Sequence, residues 1–456
     1  MGQNSRISIE CNRTSDEEIK ELYSHYLKNP SISTDSRNIK PGDIFFALKG
    51  ENFDGNEFVF KALELGASLV VCDNEEIIQR NNLLNERNNL LNQRKKIFFC
   101  RNSLLTLQAL ALYHRKQLST TIIGISGTNG KTTTKELIQA VLSQKYLTLA
   151  TKGNFNNHIG VPLTLLSIPH TTEIAIVEMG ANHVGEIGFL SNIAKPDMAI
   201  LTNIGTAHIE GFGSKENIIK TKKELFEFVK NNQNEKSHIF VNADDEALRE
   251  ENFSKKTTYS LKTNADISAK ACSENGYAQI IFKDCVITSN LVGIYNAYNI
   301  LAALTIGLHF GVEIQKIKEA IENYVPSNNR SQILKTQTNT LILDCYNANP
   351  SSCSSAVEAF ANMQANRKMV FMGAMKELGE VSQKEHENIL SQIKSKNFER
   401  IVLVGKEYKA VAKDEVECFE TSEGFKQFLL ANPIENATIL IKGSRSTKME
   451  ILKDVL

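Results

Sequence analysis

The residues best suited to chemistry lie between Thr121 and Lys135, which read TIIGISGTNGKTTTK. An apolar, β-branched segment leads into a glycine turn, and apolar residues at helical spacing follow it. A strand, a glycine turn and a helix in this order form a cradle for phosphate groups, because backbone N–H groups and the helix N-terminus face the anion. Lys131 would reach the terminal phosphates and Thr132 would offer its hydroxyl to Mg²⁺. The predicted nucleotide-binding residues are Gly127, Thr128, Asn129, Gly130, Lys131, Thr132 and Thr133.

The elements after the cradle predict the sheet that positions it. Three apolar segments, EIAIVEMG, MAILTNIG and HIFVNADD, alternate with helical segments, which favours a doubly wound, mostly parallel sheet. Ligands of such sheets bind beyond the carboxyl ends of the strands, where Glu178 and His208 lie. Because Mg²⁺ prefers oxygen ligands, Glu178 with Thr132 is the predicted Mg²⁺ pair. His208 could complete it, although a lone histidine in a glycine-rich turn is more often structural.

Composition excludes several other classes of protein. Lys+Arg and Asp+Glu both total 52 in 456 residues, so no net charge attracts the chain to nucleic acid or to an anionic membrane. No apolar run approaches the length of a membrane span, and the start, MGQNSRISIE, lacks the apolar core of a signal peptide. Eight scattered cysteines without a C-x-x-C pair indicate reduced thiols. We expect a cytoplasmic protein without nucleic-acid or membrane partners.

The length predicts about three domains. The changes of pattern along the chain place their boundaries at residues 102 and 325. Residues 1–102 alternate short strands with polar turns, residues 103–325 contain the cradle, and residues 326–456 form a second, smaller α/β sheet. Within the middle unit, residues 255–290 have the alternation of short antiparallel strands. A tandem repeat at 80–94, RNNLLNE followed by RNNLLNQ, looks like a duplicated insertion and receives no chemical role.

For three polar residues, the local pattern alone favours an ordinary structural role. Arg37 would be a surface residue of a loop, although an arginine there could also hold a phosphate. Lys222 belongs to a KTKKE cluster on an amphipathic helix, and such lysines usually form a solvated face. Asn299 lies near the start of a helix, where capping is the usual role of asparagine.

Six separate motifs, which cover nearly the whole chain, resemble those of the Mur ligases, ATP-dependent enzymes of peptidoglycan synthesis. They are GTNGKTT, VEMGANHVGEI, TNIGTAHIEGFGS, CYNANPSS, MKELGE and KGSRSTKME. GTNGKTT is similar to that family's own phosphate loop, which accounts for Ile125 at the position where the pattern G-x-x-x-x-G-K-[ST] has its first glycine. The combination is most similar to members that add D-alanyl-D-alanine, and the DNPR motif of diaminopimelate-adding members is absent. Cys345 departs from the serine often found in such members.

The resemblance implies three α/β domains and a set of site residues. The N-terminal domain would bind the UDP-sugar, a central P-loop-type sheet would bind ATP, and a Rossmann-like C-terminal domain would close over both. Two Mg²⁺ ions would be held through Thr132, Glu178, His208 and Lys222, a lysine that is often carbamylated in the family. The other implied roles are UDP binding for Ser36 and Arg37, muramyl-peptide binding for Asn154 and Asn157, adenine contact for Asn299, phosphate and ribose contacts for Arg330 and Asp344, and dipeptide binding for Asn347 and Asn349.

These implications combine into one predicted reaction of a monomeric enzyme. The γ-phosphoryl group of ATP would move to the carboxylate of UDP-N-acetylmuramoyl-tripeptide, and the amine of D-alanyl-D-alanine would attack the resulting acyl phosphate. The predicted catalytic residues are Lys131, Glu178, His208 and Lys222. Alternatives are another Mur ligase, a folylpolyglutamate synthase-like ligase, and a nucleotide-gated binding module without ligase activity.

Overall fold

The computed structural model describes residues 14–77, 79, 96–205, 209–413 and 415–456. The tandem repeat at 80–94 and His208 lie outside these residues. Within the described ranges, the strands form four sheets, and each sheet belongs to one continuous part of the chain. None of the helices in these ranges is long and apolar enough to cross a membrane.

The N-terminal unit is built on a small parallel sheet whose strands follow one another in chain order. Its first helix begins at a capping box, in which the Ser15 hydroxyl accepts the N–H of Glu18 and the Glu18 carboxylate accepts the N–H of Ser15. The elements are α1 (Asp16–Lys28), β1 (Ile32–Ser33), β2 (Ile44–Phe46), α2 (Val59–Glu64), β3 (Leu69–Cys72) and β4 (Ile97–Phe99).

The middle unit is a parallel sheet of seven strands in the order β11-β10-β9-β8-β5-β7-β6. Its strands are β5 (Thr121–Ser126), β6 (Thr148–Ala150), β7 (Ile174–Glu178), β8 (Met198–Leu201), β9 (His238–Asn242), β10 (Lys256–Ser260) and β11 (Ile267–Ser268). Its helices are α3 (Ser103–Gln117), α4 (Lys131–Leu142), α5 (Gly160–Leu166), α6 (Glu186–Ala194), α7 (Ile209–Phe212), α8 (Lys215–Asn231), α9 (Ala297–His309) and α10 (Ile314–Asn323).

Alternate residues of these strands fill two different cores, as the two faces of a sheet require. Ile122 packs on one face with α3, α5, α6 and α8, whereas Ile123 packs on the other face with α4, α9 and α10. The chain leaves β5 towards β6 on one side of the sheet and leaves the neighbouring β8 towards β9 on the other side, so the two connections diverge at the carboxyl ends of β5 and β8. A crevice for a ligand is expected at such a point. The predicted parallel sheet and its three apolar strands, β7, β8 and β9, are confirmed.

The antiparallel prediction for residues 255–290 is only partly right. Strands β12 (Lys270–Glu274), β13 (Tyr277–Phe282) and β14 (Cys285–Val292) form an antiparallel sheet. Strands β10 and β11 instead extend the middle sheet, where β10 pairs in parallel with β9. The alternation of apolar residues marks a strand but carries no information about the direction of its neighbour, which explains the error.

The C-terminal unit is a six-stranded sheet in the order β15-β16-β20-β17-β18-β19, in which only β15 runs antiparallel to its neighbour. One face packs on α11, α12 and α13, and the other packs on α14 and the C-terminal turns. The strands are β15 (Gln332–Lys335), β16 (Thr340–Asp344), β17 (Lys368–Gly373), β18 (Arg400–Val404), β19 (Glu417–Phe419) and β20 (Thr438–Lys442). The helices are α11 (Pro350–Ala361), α12 (Ser382–Lys394), α13 (Lys406–Ala412) and α14 (Ser422–Ala431).

Candidate functional site

A glycine turn joins β5 to α4, as the sequence predicts. Gly127 has φ +140° and Gly130 has φ +78°, both in the region that favours glycine. A Cβ atom on Gly127 would lie 2.1 Å from the Thr202 hydroxyl oxygen, and one on Gly130 would lie 2.4 Å from the Asn299 side-chain oxygen. Both glycines are therefore required by close packing as well as by backbone conformation.

The next strand holds the turn in place. Asn203, just after β8, accepts the N–H of Thr128 with its backbone oxygen at 2.9 Å and the N–H of Asn129 with its side-chain oxygen at 3.0 Å. Lys131 donates to the carbonyl oxygens of Gly127 and Thr128 at 2.8 and 3.1 Å. The lysine ammonium group therefore lies over the turn, at the N-terminus of α4, where phosphate groups bind in such cradles.

Lys131 lies in a positively charged region. Burial, together with the nearby charge of Arg330, lowers the pKa of the Lys131 ammonium group to about 8, while Glu178 opposes that shift. An anion bound between Lys131 and Arg330 would offset both the desolvation and the repulsion. The electrostatics of this region thus favour a multiply charged anion such as a triphosphate.

Glu178 ends β7 and is only 1% exposed. Its carboxylate accepts hydrogen bonds from the Thr132 hydroxyl at 3.0 Å and from the Asn156 amide at 2.9 Å. The ammonium group of Lys135 lies 3.7 Å away and supplies a compensating charge. Asn156 and Lys135 are missed by the sequence analysis, although Asn156 lies between two asparagines that it does select.

The residues around Glu178 fit a Mg²⁺ ion that is shared with phosphate groups. A hydroxyl and a carboxylate are oxygen ligands of the kind that Mg²⁺ prefers, and they already lie within hydrogen-bonding distance of each other. In the described part of the chain, no group of three or more His, Cys, Asp or Glu side chains could hold a metal by itself. This agrees with the usual mode of Mg²⁺ binding, in which one or two protein ligands act together with substrate phosphates and water.

Lys222 lies on α8 and is only 3% exposed, so its assignment to a solvated face is wrong. Burial, and then the charge of Lys131, lower the pKa of its amine to about 7, while Glu186 opposes that shift. Its amine lies 5.7 Å from the centre of the Phe212 ring. Burial therefore favours the neutral form of this amine, which is its nucleophilic form.

The C-terminal unit contacts the glycine turn directly. Asn349 is the N-cap of α11, where its side-chain oxygen accepts the N–H of Ser352 at 2.9 Å. Its amide nitrogen donates to the Asn129 side-chain oxygen at 2.8 Å, and Asn129 donates in turn to the Ser351 hydroxyl at 2.9 Å. Asn349 therefore caps a helix and joins two units, and its dipeptide-binding role stays a prediction.

Arg330 and Asp344 reach the same region from the start of the C-terminal unit. The Arg330 guanidinium group stacks on Tyr346, with its central carbon 3.7 Å from the centre of the ring. Asp344 ends β16 and accepts a hydrogen bond from the buried Lys442 ammonium group at 2.6 Å. Burial opposes the charge on Lys442, but Asp344 outweighs burial and raises the pKa of this lysine.

One cavity of about 790 Å³ collects most of the predicted residues. It lies between the glycine turn and the start of α11, and its wall also includes Asn156, Tyr346 and Lys442. The predicted residues that line it are Thr128, Asn129, Gly130, Lys131, Thr132, Thr133, Asn154, Asn157, Glu178, Asn299, Arg330, Asp344, Asn347 and Asn349.

The other predicted residues lie elsewhere. Gly127 and Lys222 do not line the cavity, and His208 lies outside the described residues. Ser36 and Arg37 belong to a loop of the N-terminal unit, where the Arg37 side chain is 85% exposed and pairs with Asp35 at 2.8 Å. Their contact with UDP stays a prediction.

Three family models match successive parts of the chain. They are the Mur ligase family, catalytic domain, over residues 30–111, the Mur ligase middle domain over residues 125–307, and the Mur ligase, glutamate ligase domain, over residues 329–445. The chain belongs to the Mur ligase family. The resemblance and the three-part α/β fold predicted from the sequence motifs are thereby confirmed.

Relatives of this Mur ligase match it over almost its whole length. The UDP-N-acetylmuramoyl-tripeptide–D-alanyl-D-alanine ligase of Bacillus subtilis is 32% identical over 96% of this chain and 97% of its own. The ligase of the same name from Escherichia coli is 31% identical over 97% of both chains. The similarity thus extends over all three matched regions and is not confined to the nucleotide cradle.

Solved structures with a similar fold include MurF from Acinetobacter baumannii, with a TM-score of 0.78, 28% identity, and coverage of 93% of this chain and 92% of that one. MurF ligase from Thermotoga maritima in complex with ADP has a TM-score of 0.77 and 26% identity, and it covers 94% of this chain and 97% of that one. The predicted architecture of this Mur ligase is therefore that of known MurF structures.

Proposed function

We propose that this Mur ligase joins D-alanyl-D-alanine to UDP-N-acetylmuramoyl-tripeptide at the expense of ATP, with release of ADP and phosphate. The observation that carries the proposal is the near full-length similarity to ligases named for this reaction. The product would be the UDP-muramoyl-pentapeptide of peptidoglycan synthesis. A cavity that joins a phosphate cradle to a second α/β unit supports the same reaction, because two substrates and ATP must meet there.

Activation of the peptide carboxylate comes first in the proposed mechanism. A carboxylate is a poor electrophile, so its oxygen attacks the γ-phosphorus of ATP, the bond to the β-phosphate oxygen breaks, and an acyl phosphate forms. Lys131, the N–H groups of the turn and Arg330 would hold the phosphates in line and stabilise their charge. Mg²⁺ would be held by Thr132 and Glu178, and when bound it neutralises charge on the phosphate oxygens.

The amide bond forms in the second part. The free amine of D-alanyl-D-alanine attacks the acyl carbon, loses a proton, and expels inorganic phosphate. Water would hydrolyse the acyl phosphate unless the cavity excludes it. The hydrogen bonds between Asn129, Asn349 and Ser351 support this step, because they hold the C-terminal unit against the cradle.

Lys222 is proposed to carry a carbamate. Its neutral amine would attack the carbon of CO₂ and lose one proton to solvent, which converts a buried neutral amine into a carbamate anion. The low pKa of this amine supports the proposal, since only the neutral amine reacts. The carbamate and His208 would then help to hold a second Mg²⁺ ion.

The remaining assignments are proposals of the same kind. Residues 1–102 would bind the UDP-sugar through Ser36 and Arg37, residues 103–325 would bind ATP with Asn299 at the adenine, and residues 326–456 would close over them. Asn154 and Asn157 would contact the muramyl peptide, Asp344 the ribose, and Asn347 and Asn349 the dipeptide. We propose a monomeric enzyme of the cytoplasm.

Mass spectrometry of the products tests the proposed function. The chain is incubated with UDP-N-acetylmuramoyl-tripeptide, ATP and D-alanyl-D-alanine, and each substrate is omitted in turn. We expect a product whose mass is the sum of UDP-N-acetylmuramoyl-tripeptide and D-alanyl-D-alanine less one water, and roughly 10²–10³-fold less of it with the Lys131→Met variant. Hydrolysis of ATP without any peptide product would instead favour the nucleotide-gated binding module. Product formation with glutamate in place of the dipeptide would favour the folylpolyglutamate synthase-like alternative.

A further inference from the structure

The cradle helix α4 carries a carboxylate that the mechanism above does not use. Glu136 accepts a hydrogen bond from the Tyr324 hydroxyl at 2.5 Å, and its two oxygens accept from the Asn328 amide at 2.9 and 3.0 Å. Tyr324 immediately follows α10, and Asn328 lies in the connection from the middle sheet to the C-terminal sheet. Glu136 therefore ties the helix of the nucleotide cradle to the segment that enters the next unit.

The orientation of Asn328 is imposed by this carboxylate. Its amide nitrogen faces Glu136, while its side-chain oxygen is buried and accepts no hydrogen bond from the described part of the chain. Rotation of the amide by half a turn would place its oxygen against the carboxylate oxygens, which repel it. A buried acceptor without a donor is thus tolerated in order to keep the contact with Glu136.

Arg330 follows two residues later on an unusual stretch of backbone. Asn329 and Ser331, on either side of it, have φ values of +56° and +48°, which residues other than glycine rarely adopt. Ser331 is anchored as well, because its N–H donates to Asp344 at 3.3 Å and its hydroxyl lies 3.0 Å from that of Tyr295. The backbone of Arg330 is therefore fixed by anchors on both sides.

The Arg330 side chain itself has few restraints. It stacks on Tyr346, but its Nε is buried and has no hydrogen-bond partner among the described residues. Stacking leaves the in-plane direction of a guanidinium group open, so the position of the flanking backbone limits the directions in which its N–H groups can point. Arg330 lines a cavity that Lys131 also lines, and its charge lowers the pKa of Lys131.

We propose that Glu136 is a positioning residue, which holds Tyr324 and Asn328 so that the Arg330 guanidinium group faces the phosphates bound in the cradle. This inference rests on the proposed function, in which Arg330 contacts those phosphates. One helix would then align both cations on the same anion. Lys131 is the first residue of α4, and Glu136, which would position Arg330, lies five residues later on the same helix.

A double-mutant cycle tests the inference. Glu136→Gln should lower kcat roughly ten- to a hundredfold and leave the KM for the muramyl peptide unchanged, because it misplaces a group that acts on the phosphates. In an Arg330→Ala background the same change should have no further effect on kcat. The Glu319→Gln control alters an exposed carboxylate on α10 and should leave kcat unchanged.

Several results would overturn the inference. An equal loss in both backgrounds would mean that Glu136 acts elsewhere, for example through Lys135, which lies 3.8 Å from Glu136 and 3.7 Å from Glu178. Normal kcat in Glu136→Gln would also overturn it. Normal kcat in Arg330→Ala would remove Arg330 from the proposed mechanism, and product formation in that variant would show that the ligase assignment itself survives.

An exchange of partners separates positioning from simple loss of stability. Asn328→Asp alone places two carboxylates together and should lower kcat as Glu136→Gln does. The double variant Glu136→Gln/Asn328→Asp restores an amide–carboxylate contact with the roles reversed, and we expect it to recover at least about half of the lost activity on a logarithmic scale. Unrecovered kcat in a double variant that melts at the wild-type temperature would overturn the inference.

Discussion

Replacement of the buried Lys222 should stabilise the protein and abolish its activity. The amine is almost without solvent contact, and burial lowers its pKa from 10.5 to about 7. Below pH 7 it is protonated in both the folded and the unfolded chain. Between pH 7 and 10.5 the unfolded chain binds a proton that the folded chain lacks, so the stability contributed by this group rises with pH over that window.

The two pKa values set the size of the effect. They correspond to a destabilisation by Lys222 of roughly 4 kcal/mol at pH 7, which falls to roughly 2 kcal/mol at pH 9. Lys222→Met keeps most of the apolar side chain and removes the amine. The variant should therefore be more stable than the wild type, and its advantage should shrink by about 2 kcal/mol between pH 7 and pH 9. For a unit of this size, that difference is roughly 4–8 °C in melting temperature.

Thermal unfolding in CO₂-free buffer at the two pH values measures this difference. Lys220→Met, which removes an exposed lysine of the same helix, is the control and should show no dependence on pH. An advantage of Lys222→Met that is equal at pH 7 and pH 9 would refute the reasoning, because the amine would then titrate as it does in water. The same variant should lose ligation activity, as expected where a functional group is kept at a cost in stability.

Three further predictions concern the cradle and its support. Lys131→Met should lower product formation roughly 10²–10³-fold and, because burial lowers the pKa of this lysine as well, should raise the melting temperature near pH 7, measured by mass spectrometry and calorimetry. Gly127→Ala should abolish ADP binding in calorimetric titration because of its φ and its close packing, whereas Gly424→Ala, near the start of α14 with room for a methyl group, should bind ADP normally. Arg115 donates to the buried Asp197 at 2.9 Å, so Arg115→Met should destabilise the fold by roughly 3–5 kcal/mol in denaturant unfolding.

Local patterns are sufficient to predict the cradle and the strands around it. The glycine turn, the preceding strand and the following helix lie within one continuous segment from Thr121 to Leu142, and each has its own signal in residue type or spacing. Glu178 was also predictable, because a single carboxylate at the end of an apolar strand stands out. Neither Asn156 nor Lys135 has such a signal, since asparagine in a loop and lysine on a helix are common.

For Lys222, the spacing of apolar residues along α8 was a better guide to burial than the residue type. On α8 it lies four residues after Ile218 and three before Leu225, both of which are buried. Helical spacing therefore places Lys222 within the apolar stripe of α8, although the neighbouring lysines of the KTKKE cluster suggested a solvated face. A charged residue inside an apolar stripe is rarely buried without a function, so its position in the stripe should outweigh its residue type.

The contacts that join the units could not be predicted in this way. Glu136 and Asn328 are 192 residues apart, and Asn129 and Asn349 are 220 residues apart. Each of these side chains is by itself an ordinary polar residue of a helix or a loop, and only the packing of the C-terminal unit against the middle unit brings the pairs together. The site depends on local sequence and on contacts between distant residues. Local sequence forms the cradle, while the contacts of Glu136 position the arginine that faces the cradle. A substitution at Glu136 would thus leave every sequence motif intact and still disturb the phosphate site.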